Sequence, residues 1–158
     1  MAIQVGDSIP SAKLKVMGPE GPKDISTDEL FKGKKAVLFA VPGAFTPGCS
    51  VTHLPGFVVN ADKIKAKGVD TIACVAVNDA FVMDAWGKSQ NADEIVMLAD
   101  GSADFTRALG LELDLTAAGM GPRSKRYAMI LDDGKVSYLG VDAKGIEESS
   151  AERVLEKL

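Results

Sequence analysis

Cys49 stands in the run Pro42-Gly43-Ala44-Phe45-Thr46-Pro47-Gly48-Cys49-Ser50, which follows directly on the apolar stretch Ala36-Val37-Leu38-Phe39-Ala40-Val41. The arrangement puts a thiol just past the end of a buried strand, where the chain turns and a helix begins. The first amides of a helix lack internal partners and carry partial positive charge, and both favour a thiolate over a thiol. A cysteine held there is a candidate nucleophile. Thr46 lies three positions earlier, so the dithiol spacing C-x-x-C becomes T-x-x-C. Threonine forms no disulfide, which excludes exchange with that neighbour. Its hydroxyl can instead hydrogen-bond a small oxygen-containing substrate beside the sulfur.

The remaining chemistry-bearing residues give weaker signals. Cys74 sits inside Thr71-Ile72-Ala73-Cys74-Val75-Ala76-Val77 and reads as a buried strand residue. His53, four residues after Cys49, can share its helix face, which raises a cysteine–histidine dyad and with it a hydrolase or acyltransferase. No third residue is evident to orient that histidine, and the dyad leaves Thr46 unexplained. A structural histidine is the plainer reading. One histidine and two distant cysteines supply no metal-ligand cluster. A non-enzymatic redox-sensing module, in which Cys49 oxidises without rapid turnover, is a third possibility.

These residues must be positioned by the elements around them. Beyond the cysteine loop a helix is expected, with Pro55-Gly56 kinking or restarting it, and Gly68 closing it. Residues 71–77 read as a central parallel strand, Asn78-Asp79 as a cap for a helix over residues 80–89, and 96–99 as a further strand. Residues 102–109 read as a helix closed by Gly110. Residues 126–131 and 136–141 flank Asp132-Asp133-Gly134-Lys135, whose Asp-Gly pair predicts a hairpin. Ser149 and Glu152 have capping-box spacing for a final helix. Gly18-Pro19-Glu20-Gly21-Pro22 reads as a turn in an N-terminal arm. Strands alternating with helices, then a hairpin and a helix, imply an α/β fold with a mixed central sheet flanked by helices. The carboxyl end of a parallel strand is where such folds place their sites.

The bulk figures bound the rest. The 158 residues suit one domain spanning 1–158. A net charge of −4 speaks against nucleic acid as a partner. Two cysteines make no disulfide scaffold and suit a reducing compartment. The first residues lack a signal-peptide pattern and residues 36–41 are too short to span a bilayer, so a cytoplasmic, non-membrane protein is expected.

Residues 42–50, continued by Val51-Thr52-His53-Leu54-Pro55-Gly56-Phe57, resemble the peroxidatic loop of the peroxiredoxins, and the wording PGAFTPGCS…HLPGF is similar to the type II, or peroxiredoxin-5, subfamily. Val77-Asn78-Asp79-Ala80-Phe81-Val82-Met83, Leu98-Ala99-Asp100-Gly101-Ser102 and Arg123-Ser124-Lys125-Arg126-Tyr127 resemble it as well, so the likeness covers nearly the whole chain. The resemblance implies a thioredoxin-like fold, no cofactor or metal, and thiol-dependent reduction of hydrogen peroxide and organic hydroperoxides. It implies Cys49 as the attacking thiol, Thr46 as the hydroxyl beside it, Pro42 as the shielding proline and Arg126 as the family's arginine, with Arg123 supporting the loop. Some animal members carry a second, resolving cysteine where Glu148 stands here, so the chain is more like the plant and bacterial members recycled by outside thiols: glutathione, glutaredoxin or thioredoxin. A homodimer is implied too; Phe45, Phe81 and Trp86 are either plain core or a dimer surface, and the expected contact beside the loop includes Phe45 and Phe81.

The implied chemistry suits these residue types. A sulfur lone pair displaces one peroxide oxygen from the other, so the sulfur needs positive potential, and the departing oxygen needs fixed donors. The amides of Gly48 and Cys49, the Thr46 hydroxyl and the Arg126 guanidinium are the candidates. The product is a sulfenic acid that a second thiol must reduce.

Overall fold

The computed structural model describes residues 2–158. Three parallel strands form the middle of the sheet: β3 (Lys35–Ala40), β4 (Thr71–Ala76) and β5 (Val96–Ala99). They are nearly continuous apolar runs because helices cover both of their faces. On one side β3 pairs antiparallel with β8 (Arg126–Asp132), which turns back into β9 (Lys135–Asp142). On the other, β5 pairs antiparallel with β1 (Lys13–Gly18), and β1 with β2 (Gly21–Ser26). The sheet order is β2-β1-β5-β4-β3-β8-β9. It is a mixed sheet with helices on both faces, as the pattern predicts, and has the thioredoxin-like architecture that the resemblance implies.

Side chains alternate across the strands, and the two faces build two cores. Val37, Phe39, Ile72 and Cys74 pack under α2 (Leu54–Ala66), α3 (Ala80–Ser89) and α5 (Ala151–Lys157). Ala36, Leu38, Ala73 and Val75 pack under α1 (Thr27–Phe31) and α4 (Asp104–Leu109). Phe39 and Phe57 stack with ring centroids 3.9 Å apart and planes 6° off parallel. Burying a phenyl of this kind contributes about 2 kcal/mol.

Local signals placed several boundaries as expected. Asp79 caps α3 through its carboxylate, which accepts from the Val82 amide at 2.8 Å. Asp133 and Gly134 take φ of 51° and 77°, the double left-handed pattern of a tight hairpin turn. Other boundaries moved. The helix expected over residues 102–109 starts at Asp104, because Ala103 is left-handed with φ 63°. Ser150, not Ser149, caps α5, its hydroxyl accepting from the Arg153 amide at 3.1 Å. Ser149 is fully buried and its hydroxyl is drawn to Asp142, so the cap shifts by one residue. The turn at residues 18–22 joins β1 to β2, so the N-terminal arm extends the sheet. A two-stranded ribbon, β6 (Glu112–Leu115) and β7 (Gly121–Ser124), with a 3₁₀ turn at Thr116–Ala118 between them, carried no signal strong enough to read.

The topology decides what meets the cysteine. β8 runs antiparallel to β3, with Tyr127 opposite Ala40, so Arg126 surfaces at the carboxyl end of β3. In the next pairing Arg126 lies opposite Asp142, the last residue of β9. The loop after β3, the start of β8 and the end of β9 therefore share one edge.

Candidate active site

The loop after β3 is pinned by its own polar groups. The Ala44 amide donates to the Asn78 side-chain oxygen at 3.0 Å, tying the loop to the turn before α3. The Thr46 hydroxyl donates to the Gly43 carbonyl at 2.6 Å. That bond occupies its hydrogen, so toward a substrate Thr46 presents lone pairs, as an acceptor rather than the donor anticipated from sequence. The helical run opens at Pro47, and the Ser50 amide donates to the Thr46 carbonyl at 2.9 Å. Gly48 and Cys49 thus lie in the first turn, where amides have no carbonyl within the helix.

From Cys49 to His53 the helix widens to a π-turn, with the Leu54 amide bonding the Cys49 carbonyl. Pro55 supplies a physical cause. It has no amide hydrogen for the Val51 carbonyl and its ring crowds that oxygen, so the preceding turn opens. The restart expected at Pro55-Gly56 is the passage from this turn into α2.

Arg126 reaches over the thiol from β8. Its Nη2 donates to Cys49 Sγ at 3.3 Å, and its Nη1 donates to His53 Nδ1 at 2.9 Å. Gly48 leaves room for the guanidinium: a Cβ there would stand 3.3 Å from Nη2. Pro42 is half-buried at the mouth and lines, with Arg126, Lys125, Leu113 and Val141, an open groove of about 410 Å³. Arg123 braces the loop from the opposite side. Its Nε donates to the Met120 carbonyl at 3.0 Å and its Nη1 rests against Gly43.

His53 is buried between aromatic rings, 5.1 Å from Phe39 and 5.6 Å from Phe57. Its Nε2 lies 2.8 Å from the Ser149 carbonyl. A carbonyl only accepts, so the ring hydrogen is on Nε2 and Nδ1 keeps the lone pair that takes the Arg126 hydrogen. Burial pushes the histidine pKa down to about 4; Arg126 pushes the same way, against the Ser149 carbonyl and Asp142. Both nitrogens are engaged elsewhere, so His53 has no lone pair for the Cys49 proton. The dyad reading fails on this geometry.

Cys74 lies mid-strand opposite Phe39, and it and Cys49 are both free and fully buried. Burial, and next the neighbouring Cys49, push the Cys74 thiol well up. Trp86 is core, its Nε1 donating to the Ser50 hydroxyl at 3.0 Å, whereas Phe45 and Phe81 are 56% and 65% exposed. Glu148 pairs with Arg153 at 2.8 Å. Asp142 and Ser149 complete the surroundings of His53; the sequence offered Ser149 only as a helix cap and gave no signal for Asp142, because only the fold brings them there.

Comparison with known proteins shows the family to which the chain belongs. The Redoxin family model matches residues 4–155. The chain is 48% identical over 163 residues to the chloroplastic peroxiredoxin-2E of Arabidopsis thaliana, covering 99% of this chain and 70% of that protein. It is 46% identical over 159 residues to peroxiredoxin-2B of the same plant, covering 99% and 98%. Among solved structures it is similar to reduced Prx3 of Vibrio vulnificus in complex with hydrogen peroxide, with TM-score 0.94, 59% identity and 98% of each chain covered.

Proposed function

We infer, on the premise that this chain belongs to the Redoxin family and is a type II peroxiredoxin, that Cys49 is the residue peroxide oxidises and that an outside thiol recycles it. A peroxiredoxin is a thiol-dependent peroxidase, and the chain is one. The observation that carries the assignment is the Arg126 Nη2 contact with Cys49 Sγ at 3.3 Å, three residues after Thr46 in a pinned loop. Hydrogen peroxide and organic hydroperoxides are the proposed substrates, the first supported by the hydrogen peroxide complex of the Vibrio relative.

In the first step the Cys49 thiolate forms an S–O bond to one peroxide oxygen and the O–O bond breaks. The departing oxygen takes the bonding pair and leaves, once protonated, as water or an alcohol. Sulfur loses two electrons and keeps the other oxygen as a sulfenic acid. Thr46 accepts the hydrogen of the attacked hydroperoxide, which aims that oxygen at the sulfur. Arg126 and the first-turn amides lie where negative charge grows on the leaving oxygen, and donors fixed beforehand stabilise that charge most. Arginine suits the place because it stays protonated and presents its donors in a rigid plane. Pro42 and Gly48 shape the approach.

In the second step an outside thiol attacks the sulfenic sulfur, an S–S bond forms and water leaves. A further thiol then releases Cys49. Glutathione, glutaredoxin and thioredoxin are the candidate reductants. Glu148 has no such chemistry, and Cys74 lies inside β4 with its proton held by burial. Residues 2–158 act as one domain built around the seven-stranded sheet. The exposed Phe45, Phe81 and Val51 (75%) beside the loop form the proposed homodimer contact. Two free cysteines suit a reducing, cytoplasmic setting, and no described helix is long and apolar enough to cross a membrane.

Turnover of hydrogen peroxide with each reductant in turn tests the reading. Activity with at least one, abolished in Cys49→Ser, is expected; no turnover with any of the three overturns it. Sedimentation at micromolar concentration tests the dimer, and a monomer there removes it.

A further inference from the structure

We propose that His53 is a positioning residue for the peroxide reaction: it holds the Arg126 guanidinium on the Cys49 sulfur, and Asp142 in turn aims His53 by anchoring residues 147–149. The inference rests on the assignment of Cys49 and Arg126 above. Its starting point is a pairing that does not occur. Arg126 and Asp142 are directly opposed across β8 and β9, so their side chains leave the same face of the sheet. A carboxylate so placed ordinarily takes a guanidinium in a forked ion pair. Among the described residues no salt bridge joins the two.

Asp142 is engaged otherwise. Its carboxylate accepts from the amides of Glu147 at 3.0 Å, Glu148 at 3.1 Å and Ser149 at 2.9 Å, and from the Ser149 hydroxyl at 2.7 Å. The same segment is clamped from the sheet side, where the Tyr138 hydroxyl donates to the Glu148 carbonyl at 2.6 Å. Gly140 permits that approach, since a Cβ there would overlap the Glu148 carbonyl. Held at both edges, the segment presents the Ser149 carbonyl to His53 Nε2. That bond sets the tautomer, and the tautomer leaves Nδ1 free to accept from Arg126.

The choice of acceptor has an electrostatic consequence. A carboxylate on Arg126 would cancel much of the positive charge that the sulfur and the leaving oxygen require. Neutral imidazole fixes the guanidinium in direction without neutralising it. Holding it there also removes rotamer freedom that a long side chain would otherwise have to lose at reaction.

The test begins on the unaltered protein. His53 is the sequence's single histidine, so its ring nitrogens are assigned without ambiguity by ¹⁵N NMR. A neutral Nε2–H ring at pH 6 is expected; an Nδ1–H ring, or a cation at that pH, overturns the proposal. Stopped-flow oxidation, followed by the fluorescence of Trp86, then reads the rate. His53→Phe keeps a ring between Phe39 and Phe57 but removes both hydrogen bonds, and should slow Cys49 oxidation about tenfold. His53→Gln offers an acceptor and a donor at similar spacing and should restore the rate to within about threefold. Asp142→Ala, which frees residues 147–149 without touching either hydrogen bond of His53, should slow it about threefold.

The deciding measurement is the double variant. In an Arg126→Gln background, His53→Phe should cost less than about twofold more, because the group it positions is gone. Losses that simply multiply would mean that His53 acts independently and would sink the relay. So would an unchanged rate in His53→Phe beside a slow Arg126→Gln. An unchanged rate in Arg126→Gln overturns the Arg126 assignment and the relay together. If His53→Phe does not fold, the double-variant comparison runs on Asp142→Ala with the same two outcomes.

Discussion

Cys49 and Cys74 belong to the same buried core, and neither exposes its side chain to solvent. Burial alone therefore does not separate the thiol proposed to react from the one proposed to be inert. What separates them is the set of polar neighbours. Cys74 is enclosed by strand residues, opposite Phe39 and Met97, and burial keeps its proton in place. Cys49 stands in the first helical turn with a guanidinium donor at 3.3 Å. Close packing and chemistry coexist there because the fold aims fixed donors into a dry site, where each counts for more than it would in water.

The largest effect that can break this comparison is complete loss of turnover. Cys49→Ser should abolish peroxidase activity, whereas Cys74→Ser should retain at least about half of it, since Cys74 takes no part in the proposed reaction. Comparable losses in two folded variants would end the distinction. A sharper version uses mass spectrometry after one equivalent of peroxide without reductant. Sulfenic acid or its further oxidation products should appear on Cys49, and a dominant Cys49–Cys74 disulfide formed at the catalytic rate would contradict outside recycling.

The polar neighbours of Cys49 also imply an acid weakness that those of Cys74 do not. The His53 pKa is about 4 in the fold and its ordinary value is 6.5, so between them the unfolded chain binds the proton first. Stability from this group is therefore complete above about pH 6.5 and falls as the pH drops toward 4, by about 3 kcal/mol. Urea unfolding from pH 7 to 4 should show that loss, and His53→Gln should flatten it. Equal slopes in both proteins would remove His53 as the cause.

Two smaller changes probe the donors and acceptors around the sulfur. Arg126→Gln should slow oxidation at least about tenfold, the scale of losing one charged donor to a developing anion. Thr46→Val should slow it about fivefold, as for one neutral hydrogen bond. If stopped-flow traces of Thr46→Val show the larger loss, the acceptor matters more than the cation and the ranking must be reversed.

Much of this was open to sequence reading, for identifiable reasons. Strands β3, β4 and β8 are strongly apolar segments bounded by turn residues, and Asp133-Gly134 permits few alternatives to a tight turn. The N-terminal hairpin was missed because Lys13–Gly18 and Gly21–Ser26 lie at one end of the sheet, the second as its edge strand and opened by Pro22, with little of the burial that makes a strand recognisable. Ser149 and Ser150 both satisfy the local rule for a helix cap. Only the tertiary demand of Asp142 on the Ser149 hydroxyl decides between them.

By itself the sequence determined the family, and the loop that carries Thr46, Gly48 and the proposed nucleophile Cys49 together, because those residues are neighbours along the chain and local geometry suffices to join them. The direction of the Thr46 hydroxyl, the tautomer of His53, and the convergence of Arg126, Asp142 and Ser149 on one sheet edge were decided only by the tertiary structure. Those residues are separated by 73 to 96 positions from the histidine they surround on two of its contacts. Hydrogen-bond direction depends on which atom arrives at about 3 Å, and no local pattern encodes that.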